Sequence, residues 1–248
     1  MTTSPQGKYS TAPGSRAYAL IARVNGILIA PRATFEALSA APRAFGVITL
    51  TLFVTLGCSA IVLETNVGQL ALLDRWDRLA SVLGQAVDDG QYQAMAEASR
   101  HGAAYAAFVA VLTGPLLTAG LSVLLFAAFR APAASAVTYL QVLAVVGHAG
   151  VVLALRQVVA APLTYVRETL SSPLTMGAFF PMLDAASPGA HFFASVDLFV
   201  IWWIVVLAIG MSVLYRTPAR RVAFVFVGVY VTLSFAMAMV ATALGGTA

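Results

Sequence analysis

Three polar side chains, Gln141, His148 and Arg156, interrupt an otherwise apolar stretch at spacings of seven and eight residues. On a helix these spacings keep them within one broad face. If the stretch lies in a membrane, such groups must point inward and find partners, and they are the residue types of a proton or solute path. The same face suits a plainer role, hydrogen-bonding to a neighbouring helix. The absence of an acid mid-span to complete a relay weighs toward the structural role. Asp197 is the other conspicuous group. It opens "DLFVIWWIVVLAIGMSVLY", in which the next eighteen residues carry no charge.

Other chemistries find little support. His101, His148 and His191 share no metal-ligand spacing such as HExxH. There is no GxxxxGK[ST] loop, no GxGxxG fingerprint and no GxSxG elbow, and "GMSVL" around Ser212 is not one. The single cysteine, Cys58, allows no internal disulfide and no cysteine metal cluster, and is expected to be a buried, inert thiol. No nucleophile–base pair stands out. The expectation is a protein that is not an enzyme and takes no cofactor.

The elements that must position these residues follow from composition. Of 248 residues, 60% are hydrophobic and 10% charged, with a mean hydropathy of +0.88. A soluble domain carries about 25% charged residues. So few charges cannot coat a globule of this size, and lipid must solvate most of the surface. About 20 apolar residues cross the hydrocarbon core as a helix. Five runs qualify: 44–63, 103–129, 134–156, 198–215 and 222–244. Pro115 falls inside the second and predicts a kink. The fold class is all-α, a polytopic bundle of five transmembrane helices.

Lysine and arginine accumulate on the cytoplasmic side of membrane proteins. Lys8, Arg16, Arg23, Arg32, Arg43, Arg130, Arg216, Arg220 and Arg221 fall on one side of the five-span arrangement. Arg75, Arg78, Arg100, Arg156 and Arg167 fall on the other, with nine of the ten acids. This predicts a multi-pass cell-membrane protein with its amino terminus cytoplasmic and its carboxyl terminus outside. The net charge of +4 has the same origin. Arginines scattered singly at the edges of apolar runs make no basic stripe, which argues against nucleic acid.

In this topology the third span ends outside at Arg156 and the fourth begins outside at Asp197. Both sit at one depth, each needing a counter-charge in a partly dry place. A structural ion pair between Arg156 and Asp197 is expected, with Arg167 as the competing partner.

The remaining segments are short. Residues 1–14 form a polar tail expected to be disordered. Residues 15–43 repeat Tyr18, Ile21, Val24 and Leu28 at helical spacing, and Pro31 can open a second helix carrying Phe35 and Leu38. They suit amphipathic helices in the cytoplasmic interface, or helices packed under the bundle. Residues 64–101 suit an extracytoplasmic helical hairpin, with Asp89 as a cap for its second helix. The segment with Met176, Phe179, Phe180, Met182 and Leu183 is too apolar for an aqueous loop and should dip into the interface or cover the outer end of the bundle. Ser234, Ala238, Thr242 and Gly246 recur every fourth residue, a small-residue face for close contact within the bundle or between copies.

"PRATFEAL…PR" before the first span, "ASAVTYLQVLAVVGHAGVVL" in the third and "SSPLTMGAFF" before the fourth form a pattern over roughly residues 15–244. It resembles the bacterial branch of the Yip family, the Ypt/Rab-interacting membrane proteins. Asp197, Leu198, Phe199, Ile201, Trp202, Ile209 and Gly210 match the family's fourth-span string residue by residue. The resemblance implies five spans and a cytoplasmic amino terminus. Eukaryotic members bind Rab GTPases through a cytosolic region with a "DLYGP" stretch. That stretch has no counterpart here, so Rab-type binding is not carried over.

Two functions remain. One is a non-catalytic scaffold or adaptor that binds other membrane proteins, associates with itself, or organises the lipid bilayer. The alternative is a small transporter or channel using Gln141, His148 and Arg156. The topology itself is open to test: a reporter active only in the cytoplasm is expected to be silent after Ala248 and active at the amino terminus. Activity after Ala248 would invert the charge argument.

Overall fold

The computed structural model describes residues 13–82, 84–129, 137–168, 170, 172–180, 182–183 and 187–245. The expected disorder of residues 1–14 lies almost wholly outside them, and Pro13 and Gly14 already belong to the first helix. The described residues form ten α-helices: α1 (Pro13–Ile29), α2 (Pro31–Ala40), α3 (Phe45–Leu63), α4 (Asn66–Val82), α5 (Asp89–Ser99), α6 (Gly102–Ala128), α7 (Tyr139–Arg167), α8 (Pro188–Ser195), α9 (Leu198–Tyr215) and α10 (Ala219–Gly245). A 3-10 turn at Met176–Phe179 precedes α8, and Thr175 and Asp197 form an isolated bridge. Helices α3, α6, α7, α9 and α10 are the five long and apolar enough to cross a membrane, with mean hydropathy from 1.9 to 2.4.

Local chemistry sets the helix ends. Pro31 at the first turn of α2 lacks the N–H that would have no partner there. Asp88, not Asp89, caps α5: its carboxylate accepts from Gln91 N–H at 2.7 Å, while the Gln91 side chain accepts from Asp88 N–H. This reciprocal box needs a glutamine three residues on, which Asp88 has and Asp89 lacks. Thr138 and Gln141 form the same box at the start of α7. That span therefore begins at Tyr139 rather than 134. It also runs past Arg156 to Arg167, where Glu168 turns into the left-handed region with φ 54°. Arg156 did not end the helix because its charge is met inside the protein. The chain likewise runs unbroken through Pro115 in α6 and Pro162 in α7.

Helix α7 is the centre. It packs against α3, α6 and α9, and α1 and α2 close one end of it. Its buried face, Val142, Val145, Val146, Ala149 and Val152, meets Val206, Leu207, Ala208 and Met211 of α9 and Val47 of α3. Small residues permit the close approach. A Cβ at Gly147 would lie 3.0 Å from Ile48 Cγ1, so α3 nearly touches the α7 backbone. Helices α4 and α5 pack on each other at the opposite end from α2.

The segment before the first span does not merely rest on a surface. Ile27 and Phe35 are fully buried and Leu38 nearly so, all within the main core cluster. The Phe35 ring fits where Gly210 leaves space: a Cβ there would sit 2.5 Å from Val145 Cγ1 and 3.1 Å from the ring. The small-residue face of α10 also works inside the chain. Ser234 and Ala238 are buried as α10 packs on α8 and α9, while Gly246 lies outside the described residues.

Overpacking a tight core costs about 1–3 kcal/mol. Gly210→Ala is therefore expected to lower stability by about that amount in a thermal unfolding series in detergent, and Val145→Ala added to it should restore part of the loss. An unchanged midpoint in the single variant would contradict the close approach of α2, α7 and α9.

Candidate functional site

The polar residues singled out above occupy three separate places. Gln141 stands in the first turn of α7, where its side-chain N–H donates to the Ser39 carbonyl at 2.7 Å. It joins α7 to the end of α2. His148, two turns further along, is fully buried between α7 and its neighbours. Its Nδ1–H donates to the Ala144 carbonyl at 2.8 Å, which leaves Nε2 as an acceptor without a partner among the described residues.

Arg156 lies about 26 Å along α7 from Tyr139 at 1.5 Å per residue, close to the far side of a hydrocarbon core about 30 Å thick. There the structure brings Arg156 and Asp197 together. Arg156 Nε–H donates to Asp197 Oδ2 at 2.7 Å, and Nη2 donates to Ser172 Oγ at 2.7 Å. Ser172 Oγ–H in turn donates to the same Oδ2 at 3.1 Å. Arg167 stands exposed in the last turn of α7 and is not the partner.

The other carboxylate oxygen has a different task. Asp197 is the N-cap of α9, and Oδ1 accepts from Phe199 N–H at 2.9 Å and Val200 N–H at 3.3 Å. A carboxylate here also complements the positive end of the helix dipole. The backbone of the same residue is held from two sides. Its N–H donates to the Tyr230 hydroxyl at 2.9 Å, and Tyr230 donates to the Ser195 carbonyl at 3.1 Å. Met176 N–H donates to Val196 C=O and Leu198 N–H to Leu174 C=O, which fastens the loop before α8 to the mouth of α9. One residue thus joins α7, α9, α10 and the loop.

Ser172 and Tyr230 had no role in the sequence reading. A tyrosine hydroxyl inside the span of α10 was the available signal, since a buried phenol needs a partner. Its 33-residue separation from Asp197 hides which partner that is.

The sequence model of the Yip1 domain matches residues 25–242. The chain belongs to the Yip1 domain family. With five apolar helices, it is a multi-pass membrane protein. Comparisons with curated proteins and with solved structures find no match. In this Yip1 domain the matched fourth-span string is distributed over distinct contacts. Asp197 makes the joint, and Phe199 and Trp202 pair their rings at 5.8 Å. Ile209 packs on the core and Gly210 admits Phe35. Leu198 and Ile201 keep partly exposed positions on α9. Trp202 and Trp203 both pack against the core rather than forming an outer belt.

The Asp197 side chain is 7% exposed and that of Arg156 23%, so removing either partner strands a charge in a partly dry place. Loss of one member of a buried pair costs about 3–5 kcal/mol. Asp197→Asn and Arg156→Gln should each destabilise the Yip1 domain strongly, and the double variant should cost less than their sum by about 0.5–3 kcal/mol. Strict additivity in equilibrium unfolding would mean that the pair contributes nothing as a pair.

Proposed function

We propose that this Yip1 domain protein is a non-catalytic scaffold or adaptor of the cell membrane, which binds other membrane proteins or organises lipid. Its amino terminus is cytoplasmic and its carboxyl terminus extracytoplasmic in this reading. One observation carries it: the strongest polar group within the spans, the Arg156–Asp197 pair, is committed to holding helices in place. A charge locked by two side chains into a four-way structural joint serves shape.

The transport alternative needs Gln141, His148 and Arg156 around one wet path. Their separate partners speak against it, with Gln141 on the Ser39 carbonyl, His148 on its own helix and Arg156 on Asp197. The two ends of the bundle offer surfaces of different character. At one end stand Arg23 of α1, Arg32 of α2 and Arg43 of the α2–α3 connection, with Arg216 of the α9–α10 turn in one lining with Arg32 and Arg220 in the first turn of α10. Burial, and then the charge of Arg43, lower the pKa of Arg23 from its ordinary value, the sign expected for neighbouring like charges. Such an end favours anionic surfaces.

The deciding experiment is mild detergent extraction from native membranes, followed by mass measurement of the intact assembly. A companion protein or a fixed complement of lipid at constant stoichiometry is the expected result. A bare chain that conducts solute in vesicles, and stops when His148 becomes alanine, would replace scaffold by transporter.

A further inference from the structure

A cavity of 630 Å³ opens between α3, α4, α6 and α7, on the side of Arg156 away from the core. That volume lies within the range of small-molecule sites, about 300–1,000 Å³. Much of its wall comes from short side chains on three helices, among them Cys58, Ala106, Ala110 and Ala161. These leave a furrow where longer side chains would have closed the helices on one another. The lining also carries Arg75, Arg156 and the Ser172 hydroxyl.

Among the described residues the charged members of the lining are both arginines, and Arg156 is already paired with Asp197. The arginines near Arg75 are already occupied: Arg78 pairs with Asp74 and Arg100 with Glu97. Arg75 has no ion pair among the described residues. A guanidinium presents a planar fork suited to phosphate oxygens. Trp76 and Tyr105 meet edge to face at 6.1 Å in the same lining, the residue types that settle at headgroup depth.

The length of the furrow completes the match. Along α6 the lining runs from Gly102 to Thr113, about 16 Å at 1.5 Å per residue. A bilayer's hydrocarbon core is about 30 Å thick, so the furrow spans about one leaflet.

We propose that this cavity binds one anionic phospholipid, with its phosphate on Arg75 and an acyl chain along the α3–α6–α7 wall. An acyl-bearing ligand is chosen over a free phosphate because most of the wall is apolar and leaflet-long. The site deepens the lipid half of the scaffold reading and rests on it.

The test uses the full chain in mild detergent, with native mass spectrometry against phosphatidylglycerol, phosphatidylcholine and inorganic phosphate. One phosphatidylglycerol per chain is expected, preferred over phosphatidylcholine by about tenfold, the scale of one charge-assisted hydrogen bond. Inorganic phosphate at equal concentration should not displace it. Arg75→Gln should abolish most of the headgroup preference while lipid is still held. Ala110→Leu, which fills the wall, should remove lipid of both kinds without lowering the melting temperature. Equal retention of the two lipids, displacement by phosphate, or indifference to both substitutions would each overturn the site. The same spectra report any companion protein by mass: a lipid-free chain with a companion overturns the lipid site and leaves the scaffold, whereas specific lipid without a companion supports the site and narrows the scaffold to lipid.

Discussion

Asp197 answers four demands at one point. Its Oδ2 meets the charge of Arg156 and the hydroxyl of Ser172, and its Oδ1 caps α9. Its N–H is taken by Tyr230 of α10, and the flanking backbone pins the preceding loop. In hydrocarbon each of these groups would be costly if left alone, because water cannot serve as the alternative partner. The fold resolves that constraint by bringing the unsatisfied groups of four segments to one place. The start of α9 is held against the bodies of α7 and α10 by this joint as much as by apolar packing.

The apolar packing has its own centre in α7. Glycine, alanine and valine dominate its buried face, so α3 and α9 approach closely: the Ile48 side chain rests on Gly147, and Val145 rests on Gly210 of α9. Lipid offers no hydrophobic drive for helices to associate, and close van der Waals contact must replace it. Helix α6 shows the contrast. It touches chiefly α3 and α7, and much of its length, including Phe108, Leu116 and Leu124, remains exposed. The furrow beside it exists because alanines line both sides where leucines would have interlocked.

Most of the architecture was legible in the sequence because lipid imposes a simple rule on length and hydropathy. The fourth run matched α9 to the residue, and the first differed from α3 only in its first position. The third did not match. An arginine after a long apolar run reads as the end of a span, yet Arg156 is an interior residue whose counter-charge lies 41 positions away. The path of residues 15–43 was ambiguous for a related reason. Amphipathic spacing states that one face is apolar and says nothing of what it meets. Phe35 meets a space made by Gly210, and no local pattern links those two positions. Gln141, His148 and Arg156 share a face by arithmetic, yet have separate partners because each lies at a different depth. The cap of α5 moved by one residue because two adjacent aspartates compete and only the geometry of Gln91 decides.

The 41-residue gap between the members of the clasp also sets a schedule. A ribosome adding about 5–20 residues per second delivers Asp197 roughly 2–8 s after Arg156. From the completion of α7 at Arg167 until Asp197 arrives, the helix carries an arginine with no permanent counter-charge, and Ser172 is the first of its partners to be made. A nascent chain halted between α7 and α9 therefore displays an unmet guanidinium at the bilayer edge. In the finished protein Asp197 and Ser172 meet it, so the contact that fixes the shape forms only once the start of α9 has been made.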